Sequence, residues 1–351
     1  MELIQHAAVD DETRQDTLSS LALVHSSFRQ HAFIYNGGPF HRHTLREALA
    51  PASRKTSKAH WIKALEGLRS VRWNLWESYW GIRRNDNEWR EQYHAENKLY
   101  QHTLVALKRC TALRKIVVEN IECPGAGDEL YDALSLLPEL QDVEFTHPDV
   151  DYYEARSLPN VTTFTASFNH NGPWYPLFAR DLPKVQCLIW VGPDLINHFG
   201  FADIAPHLQA LALGEGNRLD EELYYEKEPF SHLQLCTSLQ HFFYDFEPER
   251  GDLSLALAAL PSIRTLRLGD RGEITPLQFA KLIAVPDSPL QRLERLTIRA
   301  GHPLEGWLEG KEAEEVRKVL GEVEWDPSTL WVEVLPKLAA GEEEVVQKWR
   351  P

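Results

Sequence analysis

Four groups of residues have the types that chemistry needs. His41 and His43 form an H-x-H pair, which on a strand can hold a metal ion. Asp149 and Asp151 stand beside Tyr152 and Tyr153, and Asp220 to Glu222 beside Tyr224 and Tyr225, clusters from which a carboxylate acid-base pair can be drawn. Cys110, Cys123, Cys187 and Cys236 are the chain's four cysteines, and Arg267, Arg295 and Arg299 carry guanidinium groups suited to carboxylates or phosphates. Acid-base catalysis requires convergent geometry that neither acidic cluster shows in linear order, so both read as solvated loop edges. The histidines have no third ligand in pattern and read as part of a solvated loop. The cysteines lack C-x-x-C spacing and read as reduced core residues. There is no G-x-S-x-G elbow, no phosphate loop ending G-K-S/T, no H-E-x-x-H and no nucleotide-binding glycine fingerprint. The expectation is a protein that is not an enzyme and takes no cofactor or metal.

The arginines gain meaning from the elements that carry them. A phrase of an apolar residue, two others, an apolar residue, one other and an apolar residue recurs along the chain. It runs Leu140, Val143, Phe145; Val161, Phe164, Ala166; Val185, Leu188, Trp190; Leu208, Leu211, Leu213; Leu239, Phe242, Tyr244; Ile263, Leu266, Leu268; and Leu293, Leu296, Ile298. Looser copies stand at Leu68, Val71, Trp73 and at Leu113, Ile116, Val118. This pattern predicts an α/β leucine-rich-repeat solenoid, a horseshoe with parallel strands on its concave face and helices or loops on its convex face. The spacing between copies is irregular, from about 21 to about 45 residues. Four strands are preceded by L-P-x-L or a close variant, at Leu137, Leu158, Leu182 and Leu260; the proline ends the convex segment and sets an extended approach.

Strands are expected at Ser70 to Asn74, Arg295 to Arg299 and Leu330 to Val334. Helices are expected at Glu129 to Leu136 capped by Asp128, from Pro276 to Ile283 capped by Thr275, and within Gly310 to Val323. The organisation is then a helical segment over residues 1–35, a Gly- and Pro-containing linker over 36–59, about nine irregular repeats over 60–335, and a C-terminal helix over 336–351 closing the far end. Trp61, Trp73, Trp76, Trp80 and Trp89 read first as a seal for the core end, with stacking on a ligand beside Arg83 and Arg84 as the alternative. A third reading places an unfamiliar hydrolase site in that region.

Side chains alternate along a strand, so the residues between the repeat leucines line the concave face. Asp142 and Glu144 come early in that row, Ile189 and Phe243 near its apolar middle, and Arg267, Arg295 and Arg299 late. Either a protein partner lies along this gradient, with an acidic element on the late arginines, or the charges only solvate the sheet. The net charge is −15, and it is uneven: residues 1–110 hold 16 of the 37 Lys and Arg and 12 of the 52 Asp and Glu, leaving 21 against 40 beyond. An acidic body disfavours a grip on nucleic acid, which requires basic groups on phosphates. A hydrophobic share of 43% with 25% charged residues argues for a folded chain. Neither a membrane span nor a secretory signal is apparent, which predicts a cytoplasmic or nuclear protein without membrane partners.

One stretch carries a resemblance. Leu18-Ser-Ser-Leu21-Ala-Leu23-Val24-His-Ser-Ser-Phe28-Arg29-Gln-His-Ala32 resembles the second half of an F-box, "LL-x-L-x-LV-x-x-x-FR-x-LA", and Glu2-Leu3-Ile4 resembles its preceding helix. His31 stands where the pattern has leucine, and the usual Leu-Pro ahead of Glu2 is missing. Followed by irregular leucine-rich repeats, the segment is similar to the fungal F-box and leucine-rich-repeat proteins. That resemblance implies docking on the Skp adaptor of a cullin-based ubiquitin ligase through Leu3, Ile4, Leu18, Leu21, Val24 and Phe28, with the repeats choosing a protein substrate. The alternative is a repeat scaffold or recognition protein that does not bind the adaptor.

Overall fold

The computed structural model of the chain describes residues 70–74, 104–105, 107–119, 126–146, 157–167, 178–192, 200–214, 231–245, 253–323, 325–338, 349 and 351. The adaptor-docking candidates Leu3, Ile4, Leu18, Leu21, Val24 and Phe28, the linker over 36–59 with His41 and His43, Cys123 and both acidic clusters lie outside the described residues, as do Trp61, Trp76, Trp80 and Trp89. The fold is α/β, with parallel strands and connecting helices, and it divides into two compact units, Met1–Val161 and Thr162–Pro351. The division falls inside the region expected to be one array of repeats.

In the first unit β1 (Ser70–Asn74), β2 (Lys115–Glu119) and β3 (Asp142–Thr146) pair parallel in that order. In the second, β4 (Thr163–Ser167), β5 (Cys187–Val191), β6 (Ala210–Gly214), β7 (His241–Asp245), β8 (Thr265–Leu268), β9 (Arg295–Arg299) and β10 (Trp331–Leu335) pair parallel, each with the next in the chain. β1 and β9 have the bounds expected from the repeat phrase, and β10 is shifted by one residue.

Strands in both units are entered through similar turns. The Leu137 carbonyl accepts the Leu140 N–H at 3.4 Å, Leu158 that of Val161 at 3.2 Å and Leu182 that of Val185 at 3.2 Å. The proline of L-P-x-L therefore occupies the second position of a four-residue turn, where its fixed φ is an advantage. Cys110 and Cys236 take the place of the first leucine, their carbonyls accepting from Leu113 at 2.9 Å and Leu239 at 3.1 Å. Both are fully buried, and burial pushes each thiol up to about 12, so neither offers a thiolate. Past the turn, two N–H groups land on one carbonyl of the preceding strand's entry. Gln186 and Cys187 donate to Thr162 at 2.9 and 3.0 Å, Gln209 and Ala210 to Gln186 at 2.8 and 3.0 Å, and Gln240 and His241 to Gln209 at 2.9 and 3.0 Å. Arg264 with Thr265 and Glu294 with Arg295 repeat the contact on Gln240 and Arg264, and in the first unit Gln141 with Asp142 does so on Arg114.

Register then places the repeat leucines together. Leu188, Leu211, Phe242, Leu266 and Leu296 are Cα partners across five strands and are at most 1% exposed. Helices connect the strands. They are α1 (Ala126–Ser135) in the first unit, and α2 (Phe178–Asp181), α3 (Phe201–Ile204), α4 (Leu253–Ala259), α5 (Pro276–Ile283) and α6 (Ala313–Gly321) in the second. Leu253, Ala256 and Leu257 of α4, Phe279, Ala280 and Ile283 of α5, and Ala313, Val316 and Leu320 of α6 are buried at helical spacing. α5 has the expected bounds and starts with a capping box, in which Thr275 accepts the Gln278 N–H and the Gln278 side chain accepts that of Thr275. α1 corrects an expectation: it begins at Ala126, so Asp128 is inside it rather than at its cap.

Two side chains tie the segments that follow the strands. Asp245, buried at the end of β7, accepts the Arg271 N–H at 3.0 Å. Gly269 makes room for it, since a Cβ there would lie 2.3 Å from Asp245 Oδ1. Beyond β9, His302 Nδ1 accepts the Leu304 N–H at 3.1 Å, which leaves Nε2 to donate to the Gly272 carbonyl at 3.0 Å. Burial, opposed by the Gly272 hydrogen bond and by Glu273 and Asp270, holds the His302 pKa below its ordinary value.

Gly269→Ala is expected to cost about 2 kcal/mol by displacing a charged acceptor from its N–H. Because Asp245→Ala removes the same contact, the double variant should cost less than the sum of the singles in urea unfolding; strict additivity would refute the coupling. For His302 the folded pKa is depressed, so its contribution is complete above about pH 6.5 and is lost as pH falls from there through the folded value. The stability margin of the unaltered chain over His302→Gln should therefore shrink between pH 7.5 and pH 5, as read from urea midpoints.

Candidate recognition surface

The residues between the repeat leucines form rows across the other face of each unit's strands. In the second unit Cys187, Ala210, His241, Thr265, Arg295 and Trp331 are successive Cα partners, as are Ile189, Ala212, Phe243, Arg267, Thr297 and Glu333. The row assignments made from sequence follow from this register, but their exposure does not.

Ile189, Ala212 and Phe243 have no exposed surface. They form one buried cluster with Cys187, Val191, Ala210 and Trp349, and the indole of Trp349 is 5.9 Å from the Phe243 ring, tilted by 55°. Ile189 and Phe243, expected as an open apolar centre, are thus covered by the chain itself. Of the C-terminal helix expected over residues 336–351, positions 339–348 and 350 lie outside the described residues, while Trp349 packs over β5, β6 and β7. The physical reason is that β5 and β6, reading CLIWV and ALALG, are buried at every position; a strand apolar on both faces requires cover on both. That two-sided apolarity was the signal the periodicity concealed.

Arg267 borders the buried cluster, its guanidinium carbon 4.8 Å from the Phe243 ring centre, a cation–π contact. The other late arginines meet acids of their own chain. Arg295 Nη2 donates to Glu333 Oε2 at 2.6 Å, and Thr297 Oγ1 donates to the same oxygen at 3.0 Å. The hydrogen bond from Arg295 is the main influence holding the Glu333 carboxyl below its usual range; burial opposes it, while Thr297 and the Arg267 charge assist. Arg299 is mostly covered, donating to the Pro336 carbonyl at 2.8 Å and standing 3.7 Å from Asp270. His241 Nδ1 lies 2.7 Å from Thr265 Oγ1, and burial lowers its pKa against the pull of Glu294. In the first unit Asp142 and Glu144 share Lys115, whose Nζ is 2.8 and 3.6 Å from them.

What stays open is the end at β9 and β10. Arg295 is about half exposed, and Trp331, its Cα partner, is 72% exposed. A tryptophan beside an arginine on rigid strands combines the two residue types that most often anchor protein interfaces. Trp331 was missed because the row was ended at Arg299, although the alternation of W-V-E-V-L places Trp331, Glu333 and Leu335 on one face. Among the described residues no three of His, Cys, Asp and Glu come together as a metal site, and no helix is long and apolar enough to cross a membrane.

The chain matches no protein-family model and no curated protein sequence.

Burial separates the structural from the accessible positions of this face. Phe243→Ala should destabilise the chain by about 3–5 kcal/mol, the range for truncating a buried aromatic, whereas Arg295→Ala should cost under about 1 kcal/mol. Denaturant unfolding of both variants checks this, and equal costs would contradict it.

Proposed function

We propose that this chain is a leucine-rich-repeat recognition protein, a horseshoe solenoid whose F-box-like N-terminal segment carries it to the Skp adaptor of a cullin-based ubiquitin ligase. Its role is non-catalytic: the repeats select a protein substrate. The observation that carries this reading is the strand array itself, in which the turn, the paired landing on one carbonyl and the leucine row recur from strand to strand. A repeating scaffold of this kind positions side chains rigidly along one face, which suits an extended partner. The exposed pair Arg295 and Trp331 is the contact region it favours, with Arg267 and Glu333 at its border.

The adaptor half of the proposal rests on the resemblance at Leu18 to Ala32. The purified chain co-expressed with the Skp adaptor is expected to retain it, and Leu21→Asp combined with Val24→Asp is expected to abolish capture. Arg295→Glu with Trp331→Ala should keep the adaptor while losing the neighbours tagged by proximity labelling in the native cell. A folded chain that never captures the adaptor removes the ligase role and leaves the alternative, a recognition protein outside such ligases.

A further inference from the structure

The outer edge of β10 is open. The strand pairs with β9 on one side, where the Trp331 N–H donates to the Glu294 carbonyl and the Leu335 carbonyl accepts the Ala300 N–H. Backbone groups of successive residues alternate in direction along a strand, so those of Trp331, Glu333 and Leu335 face β9 and those of Val332 and Val334 face away. Among the described residues no strand pairs with that outer side. The side chains end in the same unfinished way. Ile298 of β9 is fully buried, but its Cα partner Val334 is 44% exposed, and Trp331 on the other face is 72% exposed. The sequence W-V-E-V-L holds no proline or lysine, residues that commonly blunt an exposed edge. Its one charge is half used: Arg295 and Thr297 both donate to Glu333 Oε2, and no described group donates to Oε1.

We propose that this edge takes an extended segment of a partner protein as an added strand, the segment placing a basic side chain opposite Glu333 between apolar residues opposite Val332 and Val334. This rests on the reading of the β9 and β10 end as a recognition surface and is independent of adaptor docking. Strand addition draws affinity from main-chain hydrogen bonds and selectivity from alternate side chains. The outward N–H and C=O groups of Val332 and Val334 supply the bonds. The remaining oxygen of the Glu333 carboxylate selects a lysine or arginine, and Trp331 packs on an apolar or aromatic side chain two residues from it. A second copy of the chain fits less well. Antiparallel pairing of the whole of β10 with its own equivalent sets Glu333 opposite Glu333, and like charges directly opposite are destabilising. The net charge of −15 acts in the same direction, repelling copies and drawing basic segments.

The test uses the full chain and the fluorescein-labelled peptide Ser-Val-Lys-Val-Tyr-Val-Ser, read by fluorescence anisotropy. The peptide should bind, about fivefold more tightly than its counterpart with glutamate in place of lysine. The same peptide N-methylated along its backbone should not bind, because it lacks the donors of an added strand. Val334→Pro should weaken binding at least about tenfold and leave the chain folded, since the N–H it removes is not used by β9. In the unaltered chain, saturating peptide should slow hydrogen exchange at the Val332 and Val334 amides, a readout that needs no variant to fold. Failure of the lysine peptide to bind overturns the proposal, as does equal binding of the methylated peptide or exchange at those amides unchanged by peptide. Equal affinity for the lysine and glutamate peptides overturns it too, because Glu333 then selects nothing. Dimers in sedimentation that Val334→Pro abolishes make a second copy the occupant and likewise overturn it. Peptide binding with no adaptor capture removes the ligase reading alone, and the converse removes this edge site alone.

Discussion

The second unit depends on one recurring contact, the landing of two adjacent N–H groups on a single carbonyl at the entry of the preceding strand. A carbonyl has two lone pairs, so the contact satisfies both at once and admits one register. A slip by one residue would turn every leucine out of the core. With the register held, equivalent positions of successive copies must line up as rows, one row apolar and buried, the next free to vary. The length of chain between landings is weakly constrained, because loop closure costs rise slowly with length. This is why β6 and β7 tolerate a long intervening stretch while still pairing in step.

The same register decides where charge and aromatic surface are available. It brings Glu333 of β10 beside Thr297 and Arg295, so an acid distant in the chain neutralises an arginine that looked free in the linear order. It stacks Arg267 next to Phe243 and so makes the guanidinium part of the edge of a buried cluster. Half-exposed ion pairs of this sort contribute little to stability, and their effect is mainly to fix the direction of the side chains. The open end at Arg295 and Trp331 therefore presents oriented groups rather than a diffuse positive field.

Much of the architecture was legible in the residues. The bounds of β1, β9 and α5 could be written down from spacing, a cap residue and a proline, since each is a local preference of a few neighbouring residues. The cysteines were expected only as reduced core residues; that Cys110-Thr111-Ala112-Leu113 and Cys236-Thr237-Ser238-Leu239 form the same turns as L-P-x-L is shown by their hydrogen bonds. Less legible was the start of α1, where a favourable cap residue at Asp128 competed with a longer helix. The candidate surface was read half correctly: its rows follow from alternation, but the exposure of Ile189 and Phe243 depended on a residue more than a hundred positions away.

Alternation and repeat spacing, which involve each strand and its own flanking turn, determined by themselves that parallel strands would stack with their leucines on one side. They determined equally that Arg267, Arg295 and Arg299 would share the other side with Ile189 and Phe243. Only the tertiary structure decided which of those residues remain at the surface. Trp349 covers the apolar middle and Glu333 engages Arg295, and neither contact has a periodicity or a local propensity that could announce it. Both arise because two-sided apolar strands and unpaired charges lower their free energy through whichever distant groups the register brings within reach.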